Sequence, residues 1–85
     1  MTEKERILKL IHIALLDIRI AAYSQDSRTC FVLSDVFHNT PLQINRADKG
    51  EMSYAEILTW IQKKCEERSC TFWLDNANAN IANLS

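Results

Sequence analysis

Wound at 100° per residue, the apolar positions of the first 22 residues fall on two sides of one helix. Ile7, Leu8, Leu10, Ile11, Ala14, Leu15, Ile18, Ala21 and Ala22 form a broad stripe suited to a core. Ile13, Leu16 and Ile20 follow an i, i+3, i+7 spacing on nearly the opposite side. Thr2 and Glu5 make a Thr-x-x-Glu capping box that opens this helix. A small chain can cover one face of such a helix with its own later segments. The second face needs another cover.

The polar run 23–29, YSQDSRT, breaks the pattern, and Ser24 or Ser27 is suited to cap a second helix. That helix is expected over about Arg28 to His38, with Cys30, Leu33, Val36 and Phe37 on one face. Asn39 suits a left-handed cap, and Pro41 is expected to stop the helix. Residues 41–52 read as a connection in which Leu42 and Ile44 alternate with polar neighbours and point inward, followed by a turn at ADKG.

Ser53 and Glu56 form a second capping box. A third helix follows to about Arg68, with Tyr54, Ile57, Leu58, Ile61 and Cys65 on its stripe and Trp60 on a flank. Thr71 is placed to cap a short last helix carrying Trp73, Ala77, Ile81 and Leu84 at helical spacing. The asparagines of that tail weaken helix formation, so fraying is expected after about residue 78. The expectation is one all-α domain spanning 1–85: a small four-helix, bundle-like fold whose long first helix is central.

Composition agrees. The chain has 85 residues, 47% of them hydrophobic and 25% charged. At this length roughly 60–65% of the unfolded surface is buried on folding, which suffices for a core but not for a deep cavity. A single glycine and a single proline leave too few turn residues for a sandwich or barrel.

The net charge is −1, and both signs are mixed along the chain. No clustered Lys and Arg supply the field that nucleic-acid binding requires. Lys9, His12, Asp17 and Arg19 interrupt the apolar run 7–22, so it is not a membrane span. The amino terminus lacks the features of an export signal. The odd number of cysteines, Cys30, Cys65 and Cys70, then reads as reduced thiols in a cytoplasm.

The stretch FVLSDVFHNTP, residues 31–41, gathers Ser34, Asp35, His38 and Asn39 at a helix end. A catalytic triad is rejected, because three residues on one helical turn do not give its geometry and no oxyanion hole is evident. These residues end a helix well: His38 favours the dipole of the last turn, and Asp35 stands in position to pair with it. The remaining reading is a polar contact site with His38 as its most useful group.

The same stretch resembles the helix end Asp-x-[Phe/Leu]-His-Asn-x-Pro of short uncharacterised bacterial helical proteins. It is matched here by Asp35, Phe37, His38, Asn39 and Pro41. The resemblance covers about a dozen residues. It implies a bacterial cytoplasmic helical protein and no particular activity.

Asp17 falls in an apolar sector between Leu10, Ile13, Ile20 and Ala21, where a carboxylate needs a partner. A structural pair with Arg19, Arg28, Tyr23 or a backbone amide is the expectation; the sharper alternative is an Arg across a dimer interface. Cys65 and Cys70 stand in CEERSC at the limit of zinc-knuckle spacing, but Cys65 lies on an apolar stripe and Cys30 on the core face of the second helix, where a free cysteine is expected to be a small buried hydrophobe. No metal or cofactor is expected. Trp60 and Trp73 are large enough to anchor an interface.

The functional expectation is a small protein–protein interaction module that forms a homodimer or binds another protein. Ile13, Leu16, Ile20, Trp60 and Trp73 would form its interface. The alternative is a small ligand-binding protein or enzyme using Asp17, Asp35 and His38. Helix-turn-helix DNA binding ranks last, for want of a basic recognition helix.

Overall fold

The computed structural model describes residues 2–24 and 32–84, with residues 17–24 and 84 described in backbone only. Among the described residues four helices follow in order: α1 (Glu3–Ser24), α2 (Ser34–Asp48), α3 (Tyr54–Glu67) and α4 (Thr71–Leu84). No strand occurs among the described residues, and the fold is the expected all-α, four-helix arrangement. The 22 residues of α1 span about 33 Å at 1.5 Å per residue and account for most of the longest dimension, 40 Å. α1 is the central element. It packs against α2, α3 and α4, while α2 meets α3 and α3 meets α4.

The N-cap half of each expected capping box is in place. The Glu5 amide donates to Thr2 Oγ1, and the Glu56 amide to Ser53 Oγ, each at 3.2 Å. Thr71, expected as a cap, is instead the first helical residue of α4; the Trp73 amide donates to the carbonyl of Cys70 before it.

The second helix differs from expectation. It does not end at His38 with a left-handed Asn39; its expected start at Arg28 lies outside the described residues. It begins at Ser34 and continues through Pro41 to Asp48. Residues 25–31, including Arg28 and Cys30, lie outside the described residues. Pro41 removes the amide that would bond to the Phe37 carbonyl, yet the helix persists because its buried face continues on both sides of the proline. Val36, Phe37, Thr40, Ile44 and Ala47 are all buried at helical spacing, and Pro41 itself points to solvent. Thr40, fully buried, places its hydroxyl on the Val36 carbonyl at 2.8 Å and so needs no other partner. The expected inward alternation of Leu42 and Ile44 is therefore half wrong: Ile44 is core and Leu42 is 61% exposed.

Two left-handed residues end the next turns. Gly50 (φ +81°) closes α2 and Ser69 (φ +56°) closes α3. At the first, Gly50 and Glu51 amides donate to the carbonyls of Ala47 and Arg46. At the second, Ser69 and Cys70 amides donate to those of Glu66 and Cys65. Both are Schellman caps, whose residues at the ends of the long bond characteristically bring apolar side chains together. In the second cap those residues are Cys65 and Cys70, both buried. The spacing that resembles a zinc knuckle is the spacing of a helix cap.

The core joins Ile7, Leu10, Ile11 and Ala14 of α1 to Leu33, Val36, Phe37 and Ile44 around α2. Ile57, Ile61 and Cys65 of α3 and Trp73, Leu74, Ala77 and Ile81 of α4 complete it. α4 is helical through Leu84, with Ile81 buried. A surface cluster ties three helix ends together: Asp48 of α2 accepts from Lys4 Nζ of α1 at 3.0 Å and from the Tyr54 hydroxyl of α3. The Tyr54 hydroxyl and then the Lys4 ammonium hold the Asp48 carboxyl below the usual carboxylate range.

Candidate functional site

Asp35, His38 and Asn39 all stand on the exposed side of α2. Asp35 does not pair with His38. Its carboxylate accepts both ends of the Arg68 guanidinium, at 2.5 and 3.0 Å, from the end of α3. Arg68 also donates to the Val32 carbonyl at 2.7 Å, so one side chain fixes the entry of α2 to the exit of α3. The Arg68 hydrogen bond is the main reason the Asp35 carboxyl is drawn down to about 2.

His38 Nδ1 lies 2.6 Å from the Ser34 carbonyl. A carbonyl only accepts, so Nδ1 carries the proton and Nε2 is the remaining ring nitrogen. With both oxygens of Asp35 held by Arg68, Asp35 does not orient the His38 ring; the Ser34 carbonyl does. Serine, aspartate and histidine share a helix here without forming a catalytic unit.

Asp35→Asn is expected to lower stability at neutral pH by no more than about 0.5–1 kcal/mol, because a pair this exposed is screened by solvent. The folded-state value of Asp35 lies below the roughly 3.9 of an unfolded aspartate. The contribution is then complete above pH 4 and lost as the pH falls toward 2. Urea titrations of both proteins at pH 7 and pH 2.5 check this; a gap of equal size at both would contradict the ion-pair origin.

Asp17 and Ile20 lie in α1, with their side chains outside the described residues. Ile13 is half-buried against the core. Trp73 is not a surface anchor: it is buried, its ring 4.8 Å from that of Phe37 at an interplanar angle of 54°. Cys65 is buried too, and burial is the first cause pushing its thiol up to about 11. No cluster of three or more His, Cys, Asp or Glu suited to a metal occurs among the described residues. None of the described helices is long and apolar enough to cross a membrane.

What remains exposed on α1 is the candidate surface. Leu8, Leu15 and Leu16 are 48%, 43% and 47% exposed, with His12 exposed between them. Leu16 was expected there. Leu8 and Leu15 were expected in the core, and the structure moves both to the outer face. The covered arc of α1 centres on Ile7 and Ala14 and leaves the Leu8–Leu15 edge in solvent.

A second concavity lies between α2 and α3. Gln43 and Arg46 form one wall, Glu56 and Trp60 the other, with Met52 and Ile57 completing the lining. Sequence reasoning missed it because residues 41–52 read as a connection. Trp60 lying off its helix's core stripe was the available signal. Searches against protein-family models, curated proteins and solved structures find no match to this chain, so its fold and surfaces stand as the basis for any assignment.

Proposed function

We propose that this domain is a protein–protein interaction module that pairs with a second copy of itself through the outer face of α1. The observation that carries the reading is the exposure of three leucines, Leu8, Leu15 and Leu16, together on one helix, whereas the other large apolar side chains exposed among the described residues, Val32, Leu42 and Phe72, lie on different segments. Their spacing suits self-pairing. Leu8 stands four residues before His12 and Leu16 four residues after it. A two-fold axis through His12, relating antiparallel α1 helices, sets Leu8 of one copy against Leu16 of the other. It also sets Leu15 against the aliphatic stem of Lys9. A net charge of −1 gives two copies no long-range repulsion to overcome.

Light scattering on a sizing column, at two concentrations about tenfold apart, tests this. The wild type is expected to be dimeric at the higher concentration, and Leu16→Asp monomeric at both. Leu42→Asp, which removes an exposed leucine from a different helix, should leave the dimer intact. A wild-type monomer at both concentrations would overturn the reading. So would equal loss of the dimer with either substitution.

A further inference from the structure

We infer that the groove between α2 and α3 is a binding site for a small zwitterion with an apolar body, of the class of a free aromatic or branched amino acid. The inference does not depend on the pairing of α1, whose exposed leucines lie on another element.

The groove encloses about 370 Å³, near the lower end of the roughly 300–1,000 Å³ of ligand sites. That volume suits a molecule of amino-acid size. α2 and α3 are joined by the short segment 49–53. Gln43 and Arg46 of α2 and Glu56 and Trp60 of α3 all line the groove. Met52, from the connection itself, closes the end. Ile57 is wholly buried beneath, while Trp60 and Met52 pack only partly against the core. The floor and one wall are thus apolar and half-finished.

The two charges are opposite in sign and only lightly engaged. Arg46 reaches Glu51 through Nε at 3.5 Å and Gln43 Oε1 through Nη1 at 3.2 Å, both long contacts. A guanidinium has five donors in a planar fork, and a carboxylate accepting two of them makes a stronger contact than either of these. Across the groove the Glu56 backbone amide is used in the cap of α3. Its carboxylate makes no hydrogen bond or ion pair with a described residue. An anion alone would meet Glu56, and a cation alone would meet Arg46. A molecule carrying both charges close together satisfies both walls, and its apolar body lies on Trp60, Met52 and Ile57.

The probe is L-phenylalanine, titrated into the ¹⁵N-labelled full chain. The expected result is saturable shifts confined to the amides of residues 43–60, including the Trp60 indole. Arg46→Ala and Glu56→Gln should each weaken binding about tenfold while leaving the rest of the spectrum in place. Both side chains are exposed, so both variants are expected to fold; Arg46→Lys provides a second, milder change at the same site. Two further probes each remove one charge. 3-Phenylpropionate and phenethylamine should bind about tenfold more weakly than the amino acid. Absence of saturation by about 10 mM, shifts outside 43–60, or affinity unchanged by Arg46→Ala would overturn the proposal. Equal binding of neutral N-acetylphenylalaninamide would overturn the zwitterion assignment.

Discussion

Phe37→Ala should bring this domain to the edge of unfolding. Phe37 is 1% exposed and its ring lies against that of Trp73, so it joins α2 to α4 through the core. Removing a buried phenylalanine costs about 3–5 kcal/mol, from lost burial plus the cavity left behind. An 85-residue domain has on the order of 4–13 kcal/mol of total stability at typical values per residue. The substitution therefore removes a large share of the whole, and the thermal midpoint is expected to fall by roughly 15–30 °C. Leu42→Ala, on the same helix but 61% exposed, should stay within about 0.5 kcal/mol of the wild type. Circular dichroism melts of the three proteins compare them directly. A loss below about 1 kcal/mol for Phe37→Ala would mean the aromatic pair is not where α2 and α4 are held.

Pro41→Ala should do the opposite and raise stability by about 1–3 kcal/mol. Proline inside a helix is roughly 3 kcal/mol less favourable than alanine, through the lost hydrogen bond and the clash with the carbonyl four residues earlier. Here that carbonyl belongs to Phe37, within the helix 34–48. The pyrrolidine ring faces solvent, so its loss empties no cavity. Part of the gain is offset because proline also restricts the unfolded chain, by about 0.4–1 kcal/mol. The sign discriminates between two folds. Had the helix ended at Asn39, with Pro41 in a loop, alanine would lower stability by that last amount. Urea unfolding with midpoint and slope both measured would separate the two.

These two residues mark where the sequence was readable and where it was not. The core stripes of α3 and α4 were legible because each keeps its spacing without interruption: Ile57, Ile61, Cys65, and then Trp73, Ala77, Ile81. The N-cap halves of the capping boxes were legible because they are local chemistry. α2 was misread because Thr40 and Pro41 interrupt an apolar period that resumes at Ile44 and Ala47. A local breaker was outweighed by burial on both sides of it, which no local rule sees. Leu8 and Leu15 were misplaced for a related reason. A stripe as broad as that of α1 does not state which of its edges the neighbouring helices will cover. Asp35 was expected to stand where it could pair with His38, and the structure pairs it elsewhere. Arg68, the partner that holds Asp35, lies 33 residues away and could not be found by helical spacing.

The cap at the end of α3 also bears on how the protein ages. The residues at the two ends of its long bond, Cys65 and Cys70, are both buried cysteines rather than aliphatic side chains. In the folded chain the Cys65 thiol is held protonated, up to about 11, and fully covered, which makes it a poor target for peroxide. Each excursion to the unfolded state restores ordinary thiol reactivity. A sulfinate formed there cannot return to a site with no exposure to water, so oxidation acts as a ratchet on unfolding. In aerobic solution the lifetime of this protein is then governed by how often the chain opens, and a substitution that stabilises α2 should slow its oxidation without touching a cysteine.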